Sequence, residues 1–196
     1  IMHMVTSIVC LVINAGFIVG CGPVDPAKQP ATAPETSTPE AVSIVIACEE
    51  VANISPVCGF QNPEDLVAVP DSEFLVVSEM GAFLTDAPGT MSLLDIKNNQ
   101  RAPLAIDWDT KGPRWGDAAC VAPDTEKFSP HGIDLMTRTD GRHQLLVVNH
   151  GNEQVEFFEL LAAGGDSRLV WKGCAKPGND AFMNDVAILN SGAFFL

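Results

Sequence analysis

The chain has 196 residues, of which 25 are acidic and 11 are basic, and its formal net charge is −14. This length suits one ordinary domain with a sizeable core. Because a surface this acidic repels phosphate backbones, nucleic acid is not an expected partner. No two cysteines have CxxC spacing, which argues against a zinc ribbon or a thioredoxin-like site.

The first segment, residues 1–21, is predicted to be a signal peptide. Its apolar run from Val5 to Val19 is shorter than the roughly 20 residues of a transmembrane helix. The segment ends in Ile18-Val19-Gly20-Cys21, which resembles a bacterial lipobox, so Cys21 is the predicted lipidation site. No Lys or Arg precedes the run and the chain opens on Ile1, so we expect the true start upstream. Plain secretion and an uncleaved anchor remain alternatives.

Residues 22–40 are predicted to be an extended linker. Five prolines stand among Ala, Thr, Ser and Glu, a density that blocks helices and interior strands. A tether directly after a lipidated cysteine would hold a domain off a membrane surface. The expected location is therefore a bacterial membrane, through a lipid anchor on the periplasmic or cell-surface side.

The domain, residues 41–196, is predicted to be all-β. Apolar runs of about five residues, rich in Val, Ile, Leu and Phe, alternate with turn residues, and no amphipathic helix of three turns is evident. The predicted strands include Ser43–Ala47, Asp65–Val69, Phe74–Ser78, Met91–Asp95, Gln144–Val148, Val155–Glu159 and Asp185–Leu189.

Three segments repeat one design: a polar entry, an apolar strand, a hairpin turn and a second apolar strand. The entries are Glu64-Asp65, His131-Gly132 and Asn184-Asp185, 67 and then 53 residues apart at positions 64, 131 and 184. Repeats of about 40–50 residues with four strands each are typical of propeller blades. We therefore predict a β-propeller, with about two and a half blades in this chain.

The first strand of each blade lines the central channel of a propeller, so the polar entries should converge there. Glu64, Asp65, Asn184 and Asp185 carry carboxylate and amide oxygens, which calcium prefers, and the adjacent pairs could serve two metals. Zinc would require Cys or more His. The alternative is that these residues merely cap strand ends or form turns.

His131 and His150 should lie near each other across an antiparallel strand pair. Two imidazoles beside a calcium could activate a water for attack on an ester carbonyl. The alternative is a pair that hydrogen-bonds loop backbone, and His3 and His143 receive no role. A serine hydrolase is not expected, because the chain contains no GxSxG elbow.

Four cysteines follow the N-terminal segment, an even number that suits an exported protein. They allow three pairings. Of these we predict Cys120 with Cys174, because both lie just upstream of equivalent repeat positions. Free buried thiols are the alternative.

An ordered set of motifs resembles the serum paraoxonase/arylesterase family, which is allied to the gluconolactonase and strictosidine-synthase-like propellers. It comprises Pro130-His-Gly-Ile133, Val147-Val-Asn-His150, Val155-Glu-Phe-Phe158 and Asn184-Asp-Val186, with Glu64-Asp65 as the first acidic pair. The resemblance covers roughly residues 62–196. It implies a six-bladed propeller that holds two calcium ions and hydrolyses lactones and aryl esters.

The resemblance also implies roles for individual residues. Glu64 and Asn184 match ligands of the catalytic calcium. Asp65 and Asp185 match ligands of the deeper structural calcium, together with the Ile133 backbone carbonyl. His131 and His150 match the pair proposed to activate water.

The expected function is thus a calcium-dependent hydrolase of lactones or aryl esters. The alternatives are a non-catalytic propeller that binds a partner through its channel face, and a sugar-lactone hydrolase with one metal and no histidine pair. The sequence stops at Leu196, before the family's later calcium ligands. We therefore expect this polypeptide alone to be inactive and to expose strand edges, which favours aggregation.

Overall fold

The fold is built from two antiparallel meanders and a further hairpin. The computed structural model describes residues 48–50, 52–81, 87–109, 111–178 and 181–196. Within these ranges the strands are β1 Pro63–Ala68, β2 Phe74–Glu79, β3 Thr90–Asp95, β4 Gln100–Pro103, β5 Ala105–Asp107, β6 Trp115–Gly116, β7 Pro130–Thr137, β8 His143–Asn149, β9 Gln154–Leu161, β10 Arg168–Ala175, β11 Ala187–Ile188 and β12 Phe194–Phe195.

Several predicted features lie outside the described residues. They are the signal peptide 1–21 with Cys21, the linker 22–40 and the strand Ser43–Ala47. In the described ranges helix is limited to one 3-10 turn, Thr125–Lys127. None of the helical structure in those ranges is long and apolar enough to cross a bilayer.

The strand order confirms an all-β chain with the architecture of a partial propeller. One sheet runs β1-β2-β3-β4, a second contains β7 to β10 in sequence, and β11 pairs with β12. All pairs within these meanders are antiparallel. The first strands lie side by side, since β1 and β11 both pack against β7. The polar entries of the three repeats are therefore neighbours in space.

Strand β8 is buried on both faces because it lies between two layers of core. Leu145 and Val147 pack into the core shared with the first sheet. Leu146 and Val148 point the other way, into a core shared with the third hairpin. All four are fully buried. Alternate side chains of a strand point to opposite faces, so this continuous apolar run fits a blade covered on both sides.

A buried polar tie joins the middle strands of each blade. In the first blade Glu79 on β2 accepts hydrogen bonds from Ser92 on β3 and, at 2.8 and 2.7 Å, from the Nε and a terminal nitrogen of Arg101 on β4. In the second blade Glu156 on β9 accepts from Asn149 on β8 at 2.9 Å and from Trp171 on β10 at 2.8 Å. Both carboxylates are fully buried.

The two ties occupy equivalent positions in the repeat. Glu79 pairs with Thr90 in the first blade, and Asn149 pairs with Gln154 at the same place in the second. Likewise Arg101 pairs with Leu94, and Trp171 pairs with Phe158. The carboxylate thus lies on the second strand in the first blade and on the third strand in the second blade. At the position of Arg101 in the first blade, the second blade has the indole N–H of Trp171. Glu156 therefore has three neutral donors, of which Gln154 is the third, at 2.7 Å.

The outer edge of the second blade is covered by an earlier part of the chain. Strands β5 and β6 pair in parallel with β10. A disulfide joins Cys120, which follows β6, to the buried Cys174 on β10. The predicted pairing is therefore confirmed. A second disulfide links Cys48 and Cys58.

Glu156 makes the stability of the second blade dependent on pH. Burial raises its pKa above the ordinary value of 4.5, and the hydrogen bonds from Asn149, Trp171 and Gln154 only partly offset this. Folding therefore favours the protonated form of Glu156. The contribution of this raised pKa to the free energy of unfolding is fully present below the unfolded pKa and is lost as pH rises through the folded pKa. In urea titrations at a series of pH values, the wild-type free energy of unfolding minus that of Glu156→Gln should fall as pH rises above the ordinary pKa of 4.5.

The matched control is Glu73→Gln, since the Glu73 side chain is 65% exposed. Its difference from wild type supplies the reference for loss of a carboxylate at an exposed position. A Glu156→Gln difference that does not change with pH would contradict the assignment.

Candidate active site

The entry of β7 is tied to both neighbouring blades by hydrogen bonds. Ser78 on β2 donates to the His131 carbonyl at 2.5 Å, and the Ile133 N–H donates to Asp65 Oδ2 at 2.8 Å. On the other side the Gly132 N–H donates to the Asn184 carbonyl at 3.2 Å. Three consecutive residues of β7 thus set the positions of the first and third entries.

Gly132 has no room for a side chain. A Cβ at this position would lie 2.7 Å from the Asn184 carbonyl oxygen and still closer to the backbone and carboxylate of Asp185. The missing side chain allows the Asn184-Asp185 entry to approach β7. The His131-Gly132 pair therefore combines an imidazole with the space that the next blade needs.

Two histidines and two carboxylates form a continuous relay. His131 Nε2 lies 3.1 Å from Glu64 Oε2, and His131 Nδ1 lies 2.9 Å from His150 Nε2. His150 Nδ1 in turn lies 3.0 Å from Glu153 Oε1. The His131 and His150 side chains are only 15% and 11% exposed, so water screens these contacts weakly.

The relay defines which nitrogens carry hydrogen. An ionised carboxylate only accepts, whereas a neutral imidazole has one donor and one acceptor nitrogen. Each of the three contacts, Glu64–His131, His131–His150 and His150–Glu153, needs one N–H hydrogen. Two neutral imidazoles supply only two such hydrogens. If Glu64 were turned towards a cation, the relay could run from Glu153 through two neutral rings and leave a lone pair on His131 Nε2.

The predicted metal ligands are brought to one region but do not form a finished cage. In the described part of the chain, no three His, Cys, Asp or Glu side chains already cluster as metal ligands. Asp65 contacts Ile133, and Asp185 Oδ1 accepts from the Val186 N–H at 2.7 Å. A carboxylate has about four acceptor directions, so these contacts leave capacity for a cation. The donors are hard oxygens, which fit calcium rather than zinc.

A family model described as arylesterase matches residues 60–196, more than half of the chain. The chain belongs to the arylesterase family. This confirms the resemblance drawn from the motifs, over nearly the same residues, and it indicates an ester hydrolase. A search of curated proteins gave no match to the chain.

The structure brings together the predicted site residues of this arylesterase-family chain at the entries of β1, β7 and β11. The predicted proximity of His131 and His150 is confirmed by their 2.9 Å contact. His143 lies apart, at the start of β8, where its ring contacts the Thr137 hydroxyl at 3.0 Å. Asn184 and Asp185 are exposed, whereas Ile133 is buried.

Sequence reasoning missed two residues that contact His150. Glu153 lies in the turn between β8 and β9, and the Phe182 ring stacks on the imidazole with centroids 4.4 Å apart and planes 16° apart. Neither belongs to a repeated motif. A carboxylate three residues after a histidine in a tight turn was the only available signal for Glu153.

Replacing Gly132 by alanine should separate the second and third entries. The added Cβ overlaps Asn184 and Asp185, and such overpacking typically costs about 1–3 kcal/mol. In the full-length gene product we expect a lower free energy of unfolding and weaker ester hydrolysis, measured by urea titration and phenyl acetate turnover. Gly165→Ala is the control, because a Cβ there meets nothing within 4 Å. Equal stability of the two variants would contradict the close approach.

Proposed function

We propose that the protein is an exported, calcium-dependent hydrolase of lactones or aryl esters. The observation that carries the proposal is the relay from Glu64 through His131 and His150 to Glu153, beside oxygen ligands from two further strand entries. Catalysis needs a base within hydrogen-bond reach of a water, held by a partner that fixes its orientation. The histidine pair meets the second condition within this chain.

His131 is assigned the role of general base. Its Nε2 lies 3.1 Å from Glu64 and becomes free to accept a proton once Glu64 binds the proposed cation, while its Nδ1 is engaged by His150. A proton taken from water at Nε2 could be shared with His150 through the 2.9 Å contact. The resulting hydroxide would attack the ester carbonyl, and the negative charge would develop on the carbonyl oxygen. Collapse of this intermediate would break the ester C–O bond, and the protonated histidine would return its proton to the leaving oxygen.

Two calcium ions are proposed to bind to oxygen ligands from the three strand entries. These ligands are Glu64, Asp65, Asn184, Asp185 and the Ile133 carbonyl. Bound calcium would supply a Lewis acid for the carbonyl oxygen and a rigid centre for the channel. The hydrogen bonds from Ile133 to Asp65 and from Gly132 to the Asn184 carbonyl hold the two acidic entries beside the histidines. In this proposal the ester or lactone would lie between the metal ligands and His131.

A pocket of about 320 Å³ beside the relay offers room for the substrate's apolar part. Glu153 and Phe182, both in contact with His150, are among its lining residues, which are Asn152, Glu153, Lys176, Pro177, Ala181 and Phe182. This volume is at the lower end of the range for ligand sites, about 300–1,000 Å³. It suits a small aryl ester or lactone.

Export and anchoring rest on different support. Two disulfides suit an oxidising compartment outside the cytosol. The apolar run Val5–Val19 and the lipobox-like Cys21 belong to the sequence alone. We propose membrane attachment through lipidated Cys21, with residues 22–40 as the tether.

Replacing either histidine of the pair should remove most esterase activity. His131→Gln and His150→Gln in the full-length gene product are expected to lower kcat for phenyl acetate by about 10²- to 10⁴-fold, the usual contribution of general acid–base catalysis. Turnover of phenyl acetate and of a simple lactone, followed by absorbance and by acid release, measures this.

His143→Gln is the matched control, since His143 contacts Thr137 and lies away from the relay. It should keep wild-type turnover. Full activity in either relay variant would exclude the dyad. An inactive wild-type protein that binds calcium would favour the non-catalytic binding module.

Calcium should raise the melting temperature of the full-length gene product, because it binds only the folded state. At 100 times its Kd, a single bound ion adds about 2.7 kcal/mol to the free energy of unfolding. Glu64→Gln and Asp185→Asn should each reduce the shift, and magnesium, which demands stricter octahedral geometry, should give a smaller one. Melts that coincide with calcium and with chelator would exclude the metal. Calorimetric titration separates two ions from the one expected of a sugar-lactone hydrolase.

A further inference from the structure

His150 is held from three directions, and two of its partners, Glu153 and Phe182, have not yet been given an individual role. His131 contacts its Nε2 at 2.9 Å and Glu153 contacts its Nδ1 at 3.0 Å. The Phe182 ring lies nearly parallel to the imidazole, 16° from its plane. Stacking fixes the plane of the ring, and the Glu153 contact fixes its rotation within that plane.

The Glu153 contact also selects the tautomer. A carboxylate accepts, so His150 Nδ1 must carry the hydrogen, and in a neutral ring Nε2 then becomes the acceptor. With Glu64 turned from His131 Nε2 to the proposed cation, His131 Nδ1 donates to that acceptor, and the lone pair of a neutral His131 then lies on Nε2. Glu153 thus determines, across two rings, that the basic nitrogen of His131 is the one on the Glu64 side.

The backbone of Glu153 is held in an unfavourable conformation. Its φ is 47°, in the left-handed region that Gly and Asn adopt most readily. Residues held in sparsely populated backbone regions cluster at functional sites, where surrounding contacts maintain them. Glycine would remove the strain in this turn, yet the chain has a glutamate whose carboxylate reaches His150.

We propose that Glu153 is a positioning residue for the histidine pair, acting through His150 to fix the tautomer and orientation of His131. The inference rests on the proposed function, and it adds a fourth residue from a turn outside the repeated entries. Phe182 assists by stacking. The side chain is suited to this role because His150 and Glu153 bracket one tight turn, so the turn itself sets their spacing.

The test compares variants that separate backbone strain from hydrogen bonding. Glu153→Gly removes both the strain and the acceptor, whereas Glu153→Gln keeps an acceptor oxygen at the same reach. Asp71→Gly is the matched control, because Asp71 is an exposed acidic residue with a φ of 52° in the turn between β1 and β2. The measurements are melting temperature, kcat and KM for phenyl acetate, and ¹⁵N NMR of the His150 ring, all on the calcium-loaded full-length gene product.

We expect Glu153→Gly to keep or raise the melting temperature while kcat falls about 10- to 100-fold, as for other residues that orient functional histidines. KM should change little, and added formate should restore part of kcat. Glu153→Gln and Asp71→Gly should each retain most of the wild-type kcat. In the NMR spectrum, the hydrogen on His150 Nδ1 should be present in wild type and lost or averaged in Glu153→Gly.

Three results would overturn the inference: an unchanged kcat in Glu153→Gly, an equal loss of kcat in Glu153→Gln, or a fall in melting temperature that accompanies the loss of activity. If wild-type protein hydrolyses no ester, the proposed function fails and the NMR comparison still decides the role of Glu153. An identical His150 spectrum in wild type and Glu153→Gly would then overturn it.

Discussion

The site depends on how closely three strand entries can approach one another, and residues 131–133 of β7 set that distance. The carbonyl of His131 accepts from the first blade and the N–H of Ile133 donates to Asp65, while the N–H of Gly132 donates to the third entry. Each bond connects residues more than fifty positions apart. These backbone hydrogen bonds hold the strand entries that carry Glu64, His131 and Asp185 next to one another.

The same polar tie is built twice with different residues, which shows what each blade needs at its centre. In the first blade the buried carboxylate of Glu79 faces an arginine, so its charge is compensated. In the second blade Glu156 faces the amides of Asn149 and Gln154 and an indole, so only neutral hydrogen-bond donors oppose the cost of burying its ionised form. Blade geometry preserves the position of the tie, while the electrostatic balance differs from blade to blade.

The sequence predicted the elements whose pattern is periodic. The apolar run of β8, the repeated entries and the pairing of Cys120 with Cys174 were all available from spacing and composition, and so was the proximity of His131 and His150. Strand β6 is too short for a periodic signal, and β5 and β6 pair with a strand far along the chain. The contact of Glu153 depends on a positive backbone angle, and its spacing from His150 is a weak signal. The contact of Phe182 depends on stacking, which leaves no pattern in the sequence.

The parallel pairing of β5 and β6 with β10 has a consequence for the order of assembly. The first blade is a local meander, so its contacts need little loop closure and can form early. The second blade must wait until residues near 175 are present, because its outer edge is supplied from before β7. The bond between Cys120 and Cys174, 54 residues apart, then encloses β7, which carries His131, and the turn after β8, which carries His150. The disulfide can therefore form only after β6 has paired with β10 and has brought Cys120 next to Cys174.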